Sequence, residues 1–537
     1  MNKIIKFIDD NLLLGLSLFL LIFIPLYPKW PMFDVLPGYI VRIRLEDFLI
    51  LLSFIIWGIY VLRGKIDLKK IPLFKPIAIY ILIGFLSTLS AIFITKTVYW
   101  DTYQIMKLYF HFFRRVEYFS LFFIFYSAIH NRKQIKLYLG VLVAAVMGVF
   151  IYGFGQKYLY WPAYSTMNRE FSKGITLYLS EHARVLSTFG GHYDLAAYIM
   201  LTLTIVIGLM FVVKKWWLSV ILGIIALAEF WLLILTASRT SFIAYLAAIS
   251  VMFLFLAFKK GWLWSLARWG GVVCVSMTIM LTVGPMSERF AHIIKLQDLK
   301  TDLNKAIRPP PPNAIEIRDD ISLEQQLAIV ATKSDTPPSP AKPQATVPAA
   351  RPDDVYEDPY VEFQATDSAE ATSGAIIHVD YSDNALQYGL STGIRLDALW
   401  PRALAAFKTN PLLGTGYSTL VKTTVWEQTP AESTDNDYLR LLGETGLLGF
   451  ISFMSIFALS VAILYRAFIK SDDQLFYGLF AAGIGVIVGI IVNALYIDVF
   501  ESSKVAYTFW SLMGLILATA LFVLEDKEPK SKKSKTK

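Results

Sequence analysis

Cysteine is almost missing from this chain. One residue of 537 is cysteine, Cys274, and it lies in an apolar stretch. Within one chain that excludes a disulfide and any metal site held by several cysteines. Charge is scarce too: Asp, Glu, Lys and Arg together make 17% of the residues, low for a soluble domain. The formal net charge of +8 does not mark a nucleic-acid binder, because the basic residues lie largely in short loops and at the C-terminal tail. No small-residue cleavage site follows the first apolar run, about Leu12 to Leu26. Tyr27-Pro28-Lys29-Trp30 follows instead, so this run is expected to remain as a span rather than be removed as a signal peptide. No internal repeat is visible.

What abounds is apolar. Hydrophobic residues make 55% of the chain, and the mean hydropathy is +0.52. About twelve runs of roughly 20 residues follow one another, each long enough to cross a bilayer as a helix. They fall near 11–28, 46–62, 76–95, 112–130, 138–156, 194–213, 218–236, 241–258, 270–285, 446–466, 475–496 and 505–524. The expected fold is all-α, a polytopic membrane protein with a long external insert between spans 9 and 10. One alternate set of loops is short and basic, including Arg63, Lys65, Lys69, Lys70, Arg132, Lys133, Lys214, Lys215, Lys259 and Lys260. The positive-inside rule makes that side cytoplasmic, together with both termini, and the longer, mixed-charge loops external. Trp30, Trp100, Trp161, Trp216, Trp217 and Trp264 sit near span ends, as interfacial anchors do.

Five segments result: spans 1–9 in 1–285, an external insert at 286–393, an external amphipathic helix and polar loop at 394–445, spans 10–12 in 446–524, and a basic tail at 525–537. The insert carries Arg308-Pro-Pro-Pro-Pro312 and further prolines at 337, 338, 340, 343, 348 and 352. It reads as a flexible spacer, the alternative being a docking arm for a partner or a glycan. Ser322-Leu-Glu-Gln325 is placed to cap a short helix from Leu323 to Ala331.

The chemistry concentrates between Ile394 and Phe450. Leu396, Leu399, Trp400, Ala403, Leu404 and Phe407 recur at helical spacing beside Arg395, Arg402 and Lys408, which suits a helix lying on protein or lipid. Pro401 starts or kinks it, Asn410-Pro411 ends it, and Gly414-Thr-Gly416 turns the chain. A polar loop with Glu432, Asp435, Asn436 and Asp437 follows, and Gly446-Leu-Leu-Gly449 leads into a span. Two other stretches open spans from the same side. Arg184 precedes Ser187-Thr188-Phe189, with His192 and Asp194 beyond it; Asp194 suits the start of a helix. Arg239 sits between two long apolar runs with almost no loop around it, so it must snorkel to lipid phosphate or find an anion. His111, Arg114 and Arg115 suit either a lipid-phosphate contact or interfacial anchoring. Arg44, Glu46 and Asp47 suit capping and ion pairing. Glu501 and Lys504 read as solvated, and Glu229 is the main charge inside a span.

The pattern Asp435-Asn436, nine residues, Gly446, two residues, Gly449 resembles the signature of the O-antigen ligase and polymerase superfamily. There, His followed by Asn, Ser or Gln stands nine residues before Gly-x-x-Gly. Leu439 and Glu444 match in register. Arg395, Trp400 and Asn410-Pro411-Leu-Leu-Gly414-Thr-Gly416 also resemble the family, as do Arg184 with Ser187-Thr188-Phe189-Gly190 and Thr236-Ala-Ser238-Arg239. One position departs: Asp435 stands where the family has His.

The resemblance implies a glycosyltransferase of the external, periplasmic face of the inner (cytoplasmic) membrane. It implies transfer of a glycan from a polyprenyl diphosphate to an acceptor hydroxyl on a glycolipid, glycan or protein, without metal or other cofactor and without nucleic acid as partner. Arg184, Arg239 and Arg395 would bind the diphosphate. Arg239 would also stabilise the leaving group, Asp435 would act as base and Asn436 would orient the acceptor or the base. Three readings of Asp435 stand: it is the base, or Asp437, Glu432 or His192 replaces it, or Asp435 and Asp437 form an Asp-x-Asp metal pair. A polymerase of the same superfamily is the nearest alternative, differing only in the acceptor. A transporter or flippase of lipid-linked oligosaccharide and a non-catalytic relative that binds the carrier are the others.

Overall fold

A chain in lipid must satisfy its backbone hydrogen bonds internally, and long runs of Leu, Ile, Val and Phe do so as helices. The computed structural model describes residues 3–36, 39, 41–167, 171–180, 183–282, 382–424 and 427–526. Nine long helices come first: α1 (Lys3–Leu26), α2 (Leu45–Leu62), α3 (Phe74–Phe93), α4 (Thr102–Ser127), α5 (Arg132–Tyr158), α6 (His192–Val212), α7 (Trp216–Thr236), α8 (Arg239–Lys260) and α9 (Trp262–Thr282). Four follow beyond the insert: α10 (Trp400–Thr409), α11 (Asp437–Lys470), α12 (Gln474–Asn493) and α13 (Ser503–Asp526). The protein is thus an all-α, multi-pass membrane protein.

Met1–Ser287 and Ile394–Lys537 form one unit and Glu288–Gly393 another. Of the second, 382–393 is described, where Ser382 caps a short helix, Asp383–Tyr388, and a second one, Leu390–Ile394, follows. The proline-rich segment, the expected helix at 323–331 and the tail from 527 lie outside the described residues.

Among the described residues, eleven helices are long and apolar enough to cross a membrane. The expected fourth span is not one of them. It corresponds to α4, which starts at Thr102 rather than 112 and carries Lys107, Arg114, Arg115 and Glu117. Its two arginines do not face lipid, as either reading of them required; both are taken up by carboxylates inside the bundle. The loop between Leu420 and Ser433 holds a two-stranded antiparallel hairpin, Val421–Thr424 with Glu427–Glu432, where only a polar loop was expected.

Helix α6 runs through the centre, almost wholly buried, with α7, α8 and α12 around it. Helices α12 and α8 meet through small residues, Gly485 and Gly489 against Ala248 and Ala244, the way helices approach closely where lipid gives no hydrophobic drive. Helix α13 lies along α4.

Contacts tie the two ends of the bundle separately. At one end Arg63 and Lys65 pair with Asp9, and Lys259 Nζ donates to the carbonyls of Ile469 and Ser471. This is the basic end. At the other end α2, α4, α6, α8, α11 and α13 begin, and α1, α3, α5, α7 and α12 finish. There Lys504 Nζ donates to the carbonyls of Pro25, Tyr27 and Thr188, and Thr97 Oγ1 donates to the carbonyl of Thr415. Lys504 is therefore buried, not solvated: it pins the start of α13 to the end of α1 and to the segment before α6.

Candidate active site

Helix α11 shows how the site is assembled. Its first part, 437–445, and its apolar part from Leu447 onward are separate helices joined at Gly446, whose φ is 66° and ψ −168°. Only glycine adopts such a conformation without strain, and a Cβ there would strike the backbone of Leu412. Gly414, with φ 69°, lies equally tight against the backbone of Glu444. The chain from Pro411 to Gly416 thus lies directly on the kink: Leu447 N donates to Pro411 O at 2.8 Å, and Thr415 N to Gly443 O at 2.9 Å. The resembling glycines of the two segments belong to one junction.

The half-helix 437–445 is capped by Asn436, whose Oδ1 accepts from Leu439 N at 2.9 Å. Its Nδ2 donates to Leu495 O at 3.1 Å, and Asp437 N donates to Ala494 O at 3.0 Å. The start of α11 is so tied to the end of α12. Asp437 is buried, and its Oδ2 accepts from Phe500 N at 3.2 Å.

The residue that shapes the loop is one that no motif singles out. Asp498, in the turn after α12, accepts from Asn436 N at 2.9 Å, Thr434 N at 3.0 Å and Arg440 Nη1 at 3.0 Å. The Thr434 and Ser433 hydroxyls lie 3.0 and 3.1 Å from its oxygens. A carboxylate with this many donors fixes the backbone around it. Behind it stands a buried charge network. Arg440 Nε lies 3.4 Å from both Glu444 and Glu501, and Arg115 pairs with Glu501, one contact being 3.0 Å. Glu444 also accepts from Ser418 N at 3.1 Å, and the Arg115 guanidinium lies 5.1 Å from the Tyr417 ring centre. Glu501 is therefore paired and largely buried, not solvated. Burial pushes its carboxyl up, but the Arg115 and Arg440 guanidiniums more than offset this and hold it below the usual carboxylate range.

On this frame Asp435 stands out from the buried surface. Its φ is 48°, in the left-handed region, where Asp, Asn and His are enriched among non-glycine residues. Asp435 Oδ2 is 2.9 Å from Arg395 Nη2, the guanidinium being nearly buried and the carboxylate about one third exposed. Arg395 comes from the turn that precedes Pro401 in the first turn of α10. It also donates to Tyr496 O at 3.4 Å, its guanidinium 5.5 Å from that ring centre. The Ser433 hydroxyl is 2.7 Å from Asp435 Oδ1 and 3.1 Å from Asp498 Oδ2. It carries one proton, so it serves one carboxylate at a time.

The other expected residues occupy the same end of the bundle without touching this pair. Arg184 Nη1 lies 2.7 Å from His192 Nε2 and 3.5 Å from the Tyr193 hydroxyl. Arginine has only donors, so this nitrogen of His192 accepts and is not free as a base. Val185 N donates to Leu235 O, which brings the Arg184 segment to the end of α7. Two residues on, Ala237 takes φ 52° and Ser238 caps α8. Arg239, the first residue of α8, is exposed and has no hydrogen-bond or ion-pair partner among the described residues. Ser241, one half-turn on, bonds Asn493 at the end of α12, next to the Leu495 that holds Asn436. Of Glu432 only the backbone is described, in the hairpin opposite Val421. Asp435 and Asp437 have separate partners, Arg395 and Phe500 N. Among the described residues no cluster of three or more His, Cys, Asp or Glu side chains is arranged for a metal ion.

A multi-pass helical protein with its polar chemistry gathered at one end of the bundle is the class these features define. Residues 224–454 match the family model for O-antigen ligase, so this part of the chain is similar to that family. Among curated proteins none matches the chain.

Proposed function

We propose that this protein transfers a glycan from a polyprenyl diphosphate onto an acceptor hydroxyl, at the external face of the inner membrane, with Asp435 as general base and Arg395, Arg239 and Arg184 as diphosphate ligands. The observation that carries the reading is the Arg395–Asp435 pair at 2.9 Å, held on a buried frame with its carboxylate about one third exposed. It suggests how substrate prepares the base. A donor diphosphate offers Arg395 a doubly anionic, bidentate partner. Arg395 then turns from Asp435 to the diphosphate, and the carboxylate is released to accept a proton.

The acceptor oxygen attacks the anomeric carbon, forming the new glycosidic bond. The bond from that carbon to the diphosphate oxygen breaks, and its electron pair leaves with the diphosphate, while the hydroxyl proton passes to Asp435. Arg239, exposed and unpaired at a helix start, supplies charge where the leaving group becomes more negative. A single displacement of this kind inverts the anomeric configuration. Asn436, fully engaged in capping, orients the base through the backbone rather than touching substrate. Ligase and polymerase chemistry are the same at this site and differ in the acceptor. A transporter would use ionisable groups near mid-membrane, whereas here the span interiors carry few charges, Glu229 being the main exception.

Purified protein in vesicles, given defined polyprenyl-diphosphate glycans and candidate acceptors, tests this. Asp435→Ala is expected to lower transfer by about 10²-fold or more while donor binding persists. Transfer is expected to continue in chelator. Activity of Asp435→Ala equal to that of the parent would remove the base assignment, and loss of activity in chelator would restore the metal reading.

A further inference from the structure

The end of α3 and the helix α10 come from distant parts of the chain, yet they present one apolar surface. Asn410 Nδ2 donates to Ser90 Oγ at 3.1 Å, and Thr97 Oγ1 donates to Thr415 O at 2.6 Å, so the loop after α3 and the loop after α10 lie side by side. Large side chains there are turned outward. Ile94 is 74% exposed, Tyr99 79%, Trp100 75% and Leu412 60%, with Phe93 and Leu404 exposed beside them. A surface of this kind in water would cost free energy and invite association.

Two features say what covers it. The first is continuity. Leu448 N donates to Leu412 O, so Leu412 abuts the first turn of the apolar part of α11, whose Leu447, Leu448 and Ile451 are exposed as lipid-facing residues of a span are. The exposed strip therefore runs from the span, past Leu412, onto α10. The second is composition. The patch is aromatic and aliphatic, and the exposed charges on it, Lys96, Arg402 and Lys408, are basic, with the acidic Asp101 beyond Trp100. Tyr and Trp favour the headgroup level, and lysines at that level favour anionic lipid.

We propose that α10, Leu412 and the loop from Ile94 to Trp100 form a membrane-docking collar that sits in the headgroup region of an anionic leaflet. The collar holds the Pro411–Gly416 segment, and with it the α11 kink, at a fixed depth. This stands independently of the transfer reaction.

The test uses the full chain with Cys274→Ser in nanodiscs, single cysteines at Leu404, Leu412 and, as a control at the basic end, Lys69, and an environment-sensitive fluorophore on each. Nitroxide carried on a shallow acyl carbon should quench labels at 404 and 412, and aqueous iodide should not; the label at 69 should behave in the opposite way. Adding phosphatidylglycerol to phosphatidylcholine should deepen nitroxide quenching at 404, and Lys96→Glu with Lys408→Glu should abolish that increment. Iodide quenching at 404 and 412 equal to that at 69 would overturn the proposal. Shielding from both quenchers would overturn it as well, because a protein partner would then cover the patch.

Discussion

Two groups of charges share one end of this bundle and are built in opposite ways. Asp498, Arg440, Glu501, Arg115 and Glu444 are largely buried and pair with one another. Arg239 is exposed and unpaired among the described residues, and Asp435 pairs with Arg395 beside solvent. Buried ionic groups gain little net stability but are costly to break one at a time, so the first group acts as a frame. Exposed charges contribute little to folding, so the second group is placed where a ligand can reach it. The contrast separates what shapes the site from what works in it.

The sharpest way to break the contrast is to remove one member of the frame. Arg440→Ala leaves Asp498, Glu444 and Glu501 short of a cation and is expected to cost about 3–5 kcal/mol, seen as a large fall in unfolding temperature in detergent. Asp498→Asn removes charge and one acceptor set while keeping shape. It should cost about 1–3 kcal/mol and should also lower transfer, because the left-handed backbone at Asp435 loses its clamp. Glu501 predicts a pH effect of smaller size. Its folded value is held below the usual carboxylate range, so its stabilisation is full above the unfolded value of about 4.3 and fades as pH falls through the folded one. Glu501→Gln should therefore flatten the acid side of a stability–pH curve and leave neutral pH least altered in slope. Arg239→Ala is the mildest for folding, within about 0.5 kcal/mol, yet it should weaken diphosphate binding measured by titration with a soluble diphosphate. An Arg239→Ala protein as unstable as Arg440→Ala would erase the distinction.

Much of the lipid-facing architecture is legible in the chain, because apolar runs of span length have few other uses. Pro401 falls in the first turn of α10, and Asn410 follows its last residue, as the backbone limits of proline require. The Asp435-Asn436 and Gly446-Leu-Leu-Gly449 pattern marked the segment, but neither the kink at Gly446 nor the cap by Asn436 was legible in it. The frame did not show itself. Asp498 and Glu501 lie in a short polar turn that looks like solvated loop, and their partners are on α4 and α11, far off in sequence. Lys504 gave no sign of its three carbonyl contacts for the same reason. A signal did exist on α11: Asp437, Arg440 and Glu444 recur at three and four residues, one helix face, just before an apolar run. Charges so placed must point into the protein. Likewise α4 reads as a poor span because its arginines meet carboxylates that only the folded bundle supplies.

The turn between α12 and α13 has a consequence for how the recognisable part of the protein is divided. The family match closes at residue 454, yet the carboxylate that clamps the signature loop is residue 498, and the cation completing its circuit is residue 115. The segment that carries the signature borrows its shape from both flanks. A chain cut to 224–454 would keep the motif letters from Thr236 to Gly449 and lose the means of holding them in place.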